Sequence, residues 1–428
     1  MKKIKKQVVL ITTLIFVTHI LSFGQGTRYT GPYTPSGSIV WYGVNNKVIS
    51  GLSFTKLTQD NIQLWECSNI TIKNCKFSKS SFKAISAENA MNLVIEDCVF
   101  DSVADGVIIN SHTGNSFNGG TCSGIKVRHN YFKNIIGGWP GHHAVQFAGV
   151  NGGGGNQINY NSFENIHLQS HVDDIISVFK SYATVNDSIQ VMGNWFRGGD
   201  YNDGNHTGGA ITVGDNGGSY ILVKNNILVN VVGGGIGNAG GSNIVFESNI
   251  LFQDRATANP ANQTAGLIMY NFDVGKVDCS SNAIRNNRVY YSTTEGKLLN
   301  IQANSNCGPI TGLETNISDP TLNASILPQN IAKAKGITTE TEPVVVPQTN
   351  TIYRIFPNPV FGKSIVITFE NPGNEKISIY NLNGQMIVDQ SISSNRTEIN
   401  TSNLIAGIYL LKISKDNKTI EVRKIRVG

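Results

Sequence analysis

Two adjacent carboxylates open the chemical reading of this chain. In the stretch "SHVDDIISVFKS" (170–181), Asp173 and Asp174 stand just before a short apolar run, and Lys180 stands just after it. Paired aspartates supply hard oxygen ligands of the kind Ca²⁺ takes. A lysine beside such an ion holds its proton less tightly and can serve as a base. Two carboxyls can also divide acid and base roles between them. The bland alternative is the polar rim of a buried strand ending in an ordinary lysine.

The surroundings favour function. Three segments, "GGWPGHH" (137–143), "HLQSHVDD" (167–174) and "RGGDYNDGNHTGG" (197–209), gather His142, His143, His171, Asp173, Asp174, Asp200, Asp203 and His206. Of the histidines, His143 and His206 are ranked first as acid or base, and His171 as a substrate contact. Trp139, Tyr201 and Trp195 offer rings for stacking on sugars. Beyond the same strands lie Lys180, Asp215 in "VGDNGG" and the Gly-rich run 149–155. Asp203 is the third candidate metal ligand.

What would hold these groups together is a repeat. "NITIKNCKF" (69–77), "NLVIEDCVF" (92–100), "GIKVRHNYF" (124–132), "NQINYNSF" (156–163), "SIQVMGNWF" (188–196), "YILVKNNIL" (220–228) and "NIVFESNIL" (243–251) share one pattern. Apolar residues alternate, then Asn or Cys follows, then an aromatic or Leu two positions on. The anchors Cys75, Cys98, Asn130, Asn161, Asn194, Asn226 and Asn249 are spaced 23, 32, 31, 33, 32 and 23 residues apart. Short strands at such a period signal a solenoid, because one strand cannot bury its apolar face alone. Adjacent rungs lie about 4.8 Å apart, so the recurring Asn can hydrogen-bond to its copies above and below. Parallel crossovers are right-handed as a rule. The expected fold is all-β: a right-handed parallel β-helix over residues 26–330. The three long segments then lengthen one corner on three neighbouring coils, which makes them spatial neighbours.

On this pattern the chain resembles the right-handed β-helix superfamily of pectate lyases, alginate and chondroitin lyases and polygalacturonases. The resemblance covers the fold and leaves the chemistry open. The Asp pair followed by Lys180 is similar to the acidic-pair-then-lysine segment of the alginate and chondroitin lyases. It implies Ca²⁺-assisted β-elimination on an acidic polysaccharide, with Asp173 and Asp174 on metal or substrate and Lys180 as base. "VDDIISVFKS" is also similar to the Asp-pair run of polygalacturonases. That similarity implies hydrolysis by Asp173 or Asp174 with Asp215 or Asp203. A third reading is a glycan-binding solenoid without catalysis.

The bulk features set the compartment. Four lysines and an apolar run from Val8 to about Phe23 make residues 1–25 a secretory signal peptide. No later apolar run is long enough to span a membrane. Those four lysines account for most of the net +5, leaving a near-neutral body that argues against nucleic-acid binding. Six cysteines in an exported chain permit disulfides without zinc spacing. Cys75 and Cys98 fall on adjacent coils, as a disulfide or as stacked thiols, and Cys279 and Cys307 flank one loop. Residues 331–350 read as a linker. Residues 351–428 carry "YRIFPNPV", "ISIYNLNGQ", "LIAGIYLLKI" and a basic end "KIRVG". They closely resemble the C-terminal sorting domain of type IX secretion substrates in Bacteroidetes, a small antiparallel β-sandwich. This resemblance implies contact with that secretion machinery and release or surface attachment. A monomer is expected.

Overall fold

A computed structural model describes residues 31–111, 121–137, 141–166, 169–199, 209–258 and 265–328. In the C-terminal part it describes 353–356, 364–369, 375–381, 385–392, 394–415 and 418–427. The chain divides into two units, Met1–Thr339 and Glu340–Gly428.

In the first unit the chain visits three parallel sheets in turn. The first sheet stacks nine strands, from Asn45–Ser50 to Ala283–Arg285. The second runs through Tyr131–Lys133, Ser162–Glu164, Trp195–Arg197 and Ile227–Val229. The third runs through His143–Ala148, Asp174–Tyr182, Gly209–Ser219, Gly234–Asn238 and Leu267–Met269. Two earlier coils turn the second corner within single long strands, Lys76–Glu88 and Val99–Asn110. This is a parallel β-helix. Among the described residues no helix is long and apolar enough to cross a membrane.

The alternating apolar residues point inward because successive strand side chains face opposite sides. Val127, Ile158 and Val191 stack in the first sheet, and Val145, Ile176, Ile211 and Ile236 in the third, all fully buried. The aromatic position of the repeat becomes a column of stacked rings. Phe54, Phe77, Phe100, Phe132, Phe163 and Phe196 follow at centroid spacings of 5.0, 4.9, 4.4, 4.9 and 4.7 Å. Each fully buried ring contributes up to about 3 kcal/mol by leaving water.

The anchors sit at the first-to-second corner. Asn130, Asn161, Asn194, Asn226 and Asn249 are each 0% exposed. Each donates from backbone N and Nδ2 to the Oδ1 of the next at 2.8–3.1 Å. Asn287 and Asn316 extend the ladder beyond the repeats read from the sequence. Asn156, the polar residue that opens the repeat "NQINYNSF", also bonds between coils: its Oδ1 accepts from Ile125 N at 2.9 Å.

Cys75 and Cys98 continue the ladder as free, buried thiols. Cys75 N reaches Cys98 Sγ at 3.5 Å, and Cys98 N donates to Asn130 Oδ1 at 3.0 Å. Sulfur is a weak acceptor, so an amide is the better occupant. Cys98→Asn is therefore expected to raise the melting temperature, read by circular dichroism; a lower one would mean that the site has no room for the amide. Cys279 and Cys307 are disulfide-bonded, with Cα atoms 4.5 Å apart.

The second unit holds two antiparallel sheets. One contains Tyr353–Phe356, Ser364–Phe369 and Arg396–Asn400; the other Glu375–Tyr380, Met386–Ser391, Gly407–Lys415 and Lys418–Val427. Ile365, Ile367 and Ile399 of one sheet share an apolar core with Ile377, Ile379, Leu411 and Ile413 of the other.

Candidate functional site

The three long segments join second-sheet strands to third-sheet strands, so they open at one corner on three successive coils. Residues 138–140, 167–168 and 200–208 fall in them, so Trp139, Asp200, Tyr201, Asp203 and His206 lie outside the described residues. Of the remaining candidates, Trp195 belongs to the second sheet and the others to the third sheet or its rims.

The entry edge of that sheet carries a row of charges. Lys83 pairs in register with Asp105, and His143 with Asp174. Three carboxylates along this row do the same structural task. Asp60 Oδ1 accepts from Lys83 N at 3.2 Å, Asp105 Oδ1 from His143 N at 2.9 Å, and Asp174 Oδ1 from Gly209 N at 2.9 Å. Each satisfies a backbone donor of the next coil. Asp174 thus joins two coils, as Asp60 and Asp105 do.

Asp174 departs from the other two in its surroundings. Its Oδ1 also accepts from Thr212 Oγ1 at 2.6 Å, while Oδ2 makes no hydrogen bond among the described residues. Burial first, then the neighbouring Asp173 and the more distant Asp215, push its carboxyl up to about 7, against the opposing pull of Thr212 and Gly209. Asp215 lies at the far end of the sheet, opposite Phe179, and is also raised, by burial first and then by Asp273 and Asp173. The phenol of Tyr270 is raised by burial, Asp215 and Asp174. These groups share one field of negative charge.

Next to the pair stands an imidazole–carboxylate couple. His142 Nδ1 lies 3.0 Å from Asp105 Oδ2, and Asp173 N donates to His142 O at 2.9 Å. Nδ1 carries the proton toward Asp105. This hydrogen bond holds His142 above its ordinary value, with burial opposing and Asp173 adding. Asp105→Asn keeps an acceptor for His143 N and removes the charge. The His142 ring, followed by NMR, is expected to titrate lower in that variant; an unmoved titration would mean that Asp105 does not set it.

The two neighbouring histidines differ in burial and partners. His143 is only 3% exposed, and its Nδ1 lies 3.0 Å from Asp174 O. Burial pushes its proton affinity down. It braces two coils, whereas half-buried His142 reaches the surface. His171 is half-buried in the approach to the Asp pair, its N donating to Ile135 O at 3.0 Å. Trp195 is no sugar platform: it is 5% exposed and packs with Val229, Phe252, Leu322 and Leu327.

Lys180 is also displaced from its expected role. It lies in the same strand as Asp174, six residues on. At about 3.3 Å per residue, their backbones stand roughly 20 Å apart. Its φ of 44° and the register shifts at Phe179 turn the strand there, so Phe179 and Lys180 both reach the outer side while Ser181 is fully buried. Lys180 Nζ sits 5.5 Å from the Phe179 ring centre. The strand thus carries Lys180 away from the Asp pair and toward Asp215.

Calcium needs six to eight oxygens. Among the described residues no three His, Cys, Asp or Glu side chains group to hold a metal. Asp174 Oδ1 already has two donors, so Asp173 and Asp174 do not form a calcium cage by themselves.

Asp105, Thr212, Tyr270 and Asp273 were not singled out from the sequence. Asp105 had a signal: it stands two residues before inward Val107, as Asp174 stands two before inward Ile176. Thr212 and Tyr270 had none, because only coil stacking brings them toward the pair, and Asp273 had none, because only the fold brings it toward Asp215.

Two family models match the chain. Residues 60–251 match a right handed beta helix region, and residues 354–427 match a secretion system C-terminal sorting domain. No curated protein matches it.

Proposed function

Because this chain is a right-handed β-helix protein exported by type IX secretion, to the cell surface or into the medium, we propose that its third-sheet face cleaves a glycan by acid–base hydrolysis. One observation carries the reading: Asp174 keeps its carboxyl near 7 beside Asp173, with Asp215 farther along the same sheet. Carboxyls pushed apart in proton affinity divide the work of cutting a glycosidic bond. Asp174 Oδ2, outside the hydrogen bonds of Oδ1, donates a proton to the leaving oxygen. The adjoining Asp173 carboxylate takes a proton from the attacking water. His142, oriented by Asp105, is the further titrating group at this edge.

β-Elimination competes with this reading. It needs a cation over the uronate carboxylate and a base beside C5. The Asp pair has Lys180 about 20 Å along the strand, and calcium there would depend on Asp203 and the substrate. The deciding assay uses the full exported chain on alginate, polygalacturonate, glycosaminoglycans and neutral glycans, with calcium or chelator. Reducing ends without absorbance near 235 nm are expected. Both signals together, abolished by chelator, would replace hydrolysis with elimination. Binding without either would make the face a lectin-like surface.

A further inference from the structure

An apolar patch adjoins the carboxylates on the side away from the long loops. Strand Leu267–Met269 runs into the segment 270–277, which folds back over neighbouring coils. Two glycines allow this approach. A Cβ on Gly240 would stand 2.8 Å from Val277 Cγ2, and one on Gly217 would stand 2.5 Å from the Tyr182 hydroxyl and 3.3 Å from Val277 Cγ1. Val277 thus packs over the coil of Gly217, where Tyr182 of the coil before also arrives.

The segment is braced from within. Asn271 Nδ2 donates to Val277 O at 3.1 Å, and Asp273 N donates to Asn271 Oδ1 at 3.0 Å. Asn306 holds Asn271 from the next coil, through Nδ2 to Asn271 O at 2.9 Å and through Oδ1 from Asn271 N at 3.1 Å. Asn306 immediately precedes the disulfide-bonded Cys307.

On this rigid base, Phe272 is 74% exposed and Val274 65% exposed. The Phe272 ring meets Tyr270 edge-on, with centroids 6.3 Å apart. Tyr182 is 41% exposed on the same side. Folding gains nothing from exposing a phenylalanine on a tightly held turn, and such rings are the usual apolar floor of a ligand site. The carboxylates beside it define the ligand's charge. Asp215 stands two residues before Gly217, the position that meets Tyr182 and Val277, and its charge reaches Tyr270 and Asp273. Asp273 is met by Lys276 at 3.1 Å, whereas Asp215 accepts from Asn216 Nδ2 at 3.2 Å and forms no ion pair among the described residues. Carboxylates accept hydroxyl donors and repel anions.

We propose that Phe272, Tyr270 and Tyr182 form a subsite for a neutral sugar ring of the bound glycan, with Asp215 accepting its hydroxyls. The inference takes the position of the chain from the proposed function and adds the substrate class: neutral at this subsite, and long enough to extend from the Asp pair across the sheet.

The test separates binding from cleavage. The full chain carrying Asp174→Asn is titrated calorimetrically with neutral xylo-, cello- and manno-hexaoses and with hexagalacturonate. One neutral series is expected to bind, and hexagalacturonate is not. Adding Phe272→Ala should weaken that binding about tenfold, and Phe272→Tyr should restore it. Equal binding by Phe272→Ala overturns the subsite while leaving hydrolysis intact. No binding of any neutral hexaose, or preference for hexagalacturonate, overturns it as well. A dimer in sedimentation that Phe272→Ala dissolves would assign the patch to self-association instead.

Discussion

Asp174→Asn is expected to lower kcat on the cleaved glycan by about 10²–10⁴-fold, the span of a lost general acid. The asparagine still offers Oδ1 to Gly209 N and Thr212 Oγ1, so the coil contact survives. In the parent, activity should fall as pH rises past about 7, where Asp174 gives up its proton. Stability follows with a definite sign. An ordinary unfolded aspartate titrates near 3.9, so between there and about 7 the folded chain binds the extra proton. That contribution is complete below the unfolded value and is lost as pH rises through about 7. The melting temperature of Asp174→Asn should therefore gain on the parent steadily from pH 4 to pH 8. A variant that keeps full activity, or a gap that does not grow with pH, would remove Asp174 from the acid role.

Asn194→Ala is expected to destabilise the β-helix by about 3–5 kcal/mol, because several buried groups lose partners at about 1–3 kcal/mol each. Asn161 loses the acceptor of both N and Nδ2, and Ile158 O loses the Asn194 Nδ2 donor at 2.8 Å. Asn226 Oδ1 loses the Asn194 Nδ2 donor and keeps the backbone N of that position. Water has no route to a position that is fully buried. Urea unfolding followed by circular dichroism measures the loss. A cost below about 1 kcal/mol would show that the neighbouring coils re-pair these groups. Cys98→Asn has the opposite effect on the same ladder: Asn194→Ala interrupts it and Cys98→Asn completes it.

Much of this architecture is written in the sequence, because a solenoid repeats its local rules. The spacing of Asn130, Asn161 and Asn194, and the Phe two positions further on, follow from contacts between identical positions on adjacent coils. A repeat makes such long-range contacts visible as a period. The sorting domain is legible for a different reason: its motifs are local and dense. The lengthened corner is legible too, since extra residues between fixed anchors must loop out.

The site is only half legible. Asp173 and Asp174 stand next to each other in the chain, so their mutual repulsion is present in the sequence. What the sequence alone could not decide is which groups meet them. Lys180 is close in the chain yet a strand's length away, because an extended backbone separates residues that a helix would bring together. Asp105, Thr212 and Tyr270 are distant in the chain yet face the pair, because coils stack one on another. His142 and His143 are neighbours with opposite fates, since successive strand residues face opposite ways and burial falls on one. The fold follows from the period; the chemistry follows from the stacking of coils, which only the tertiary structure decides.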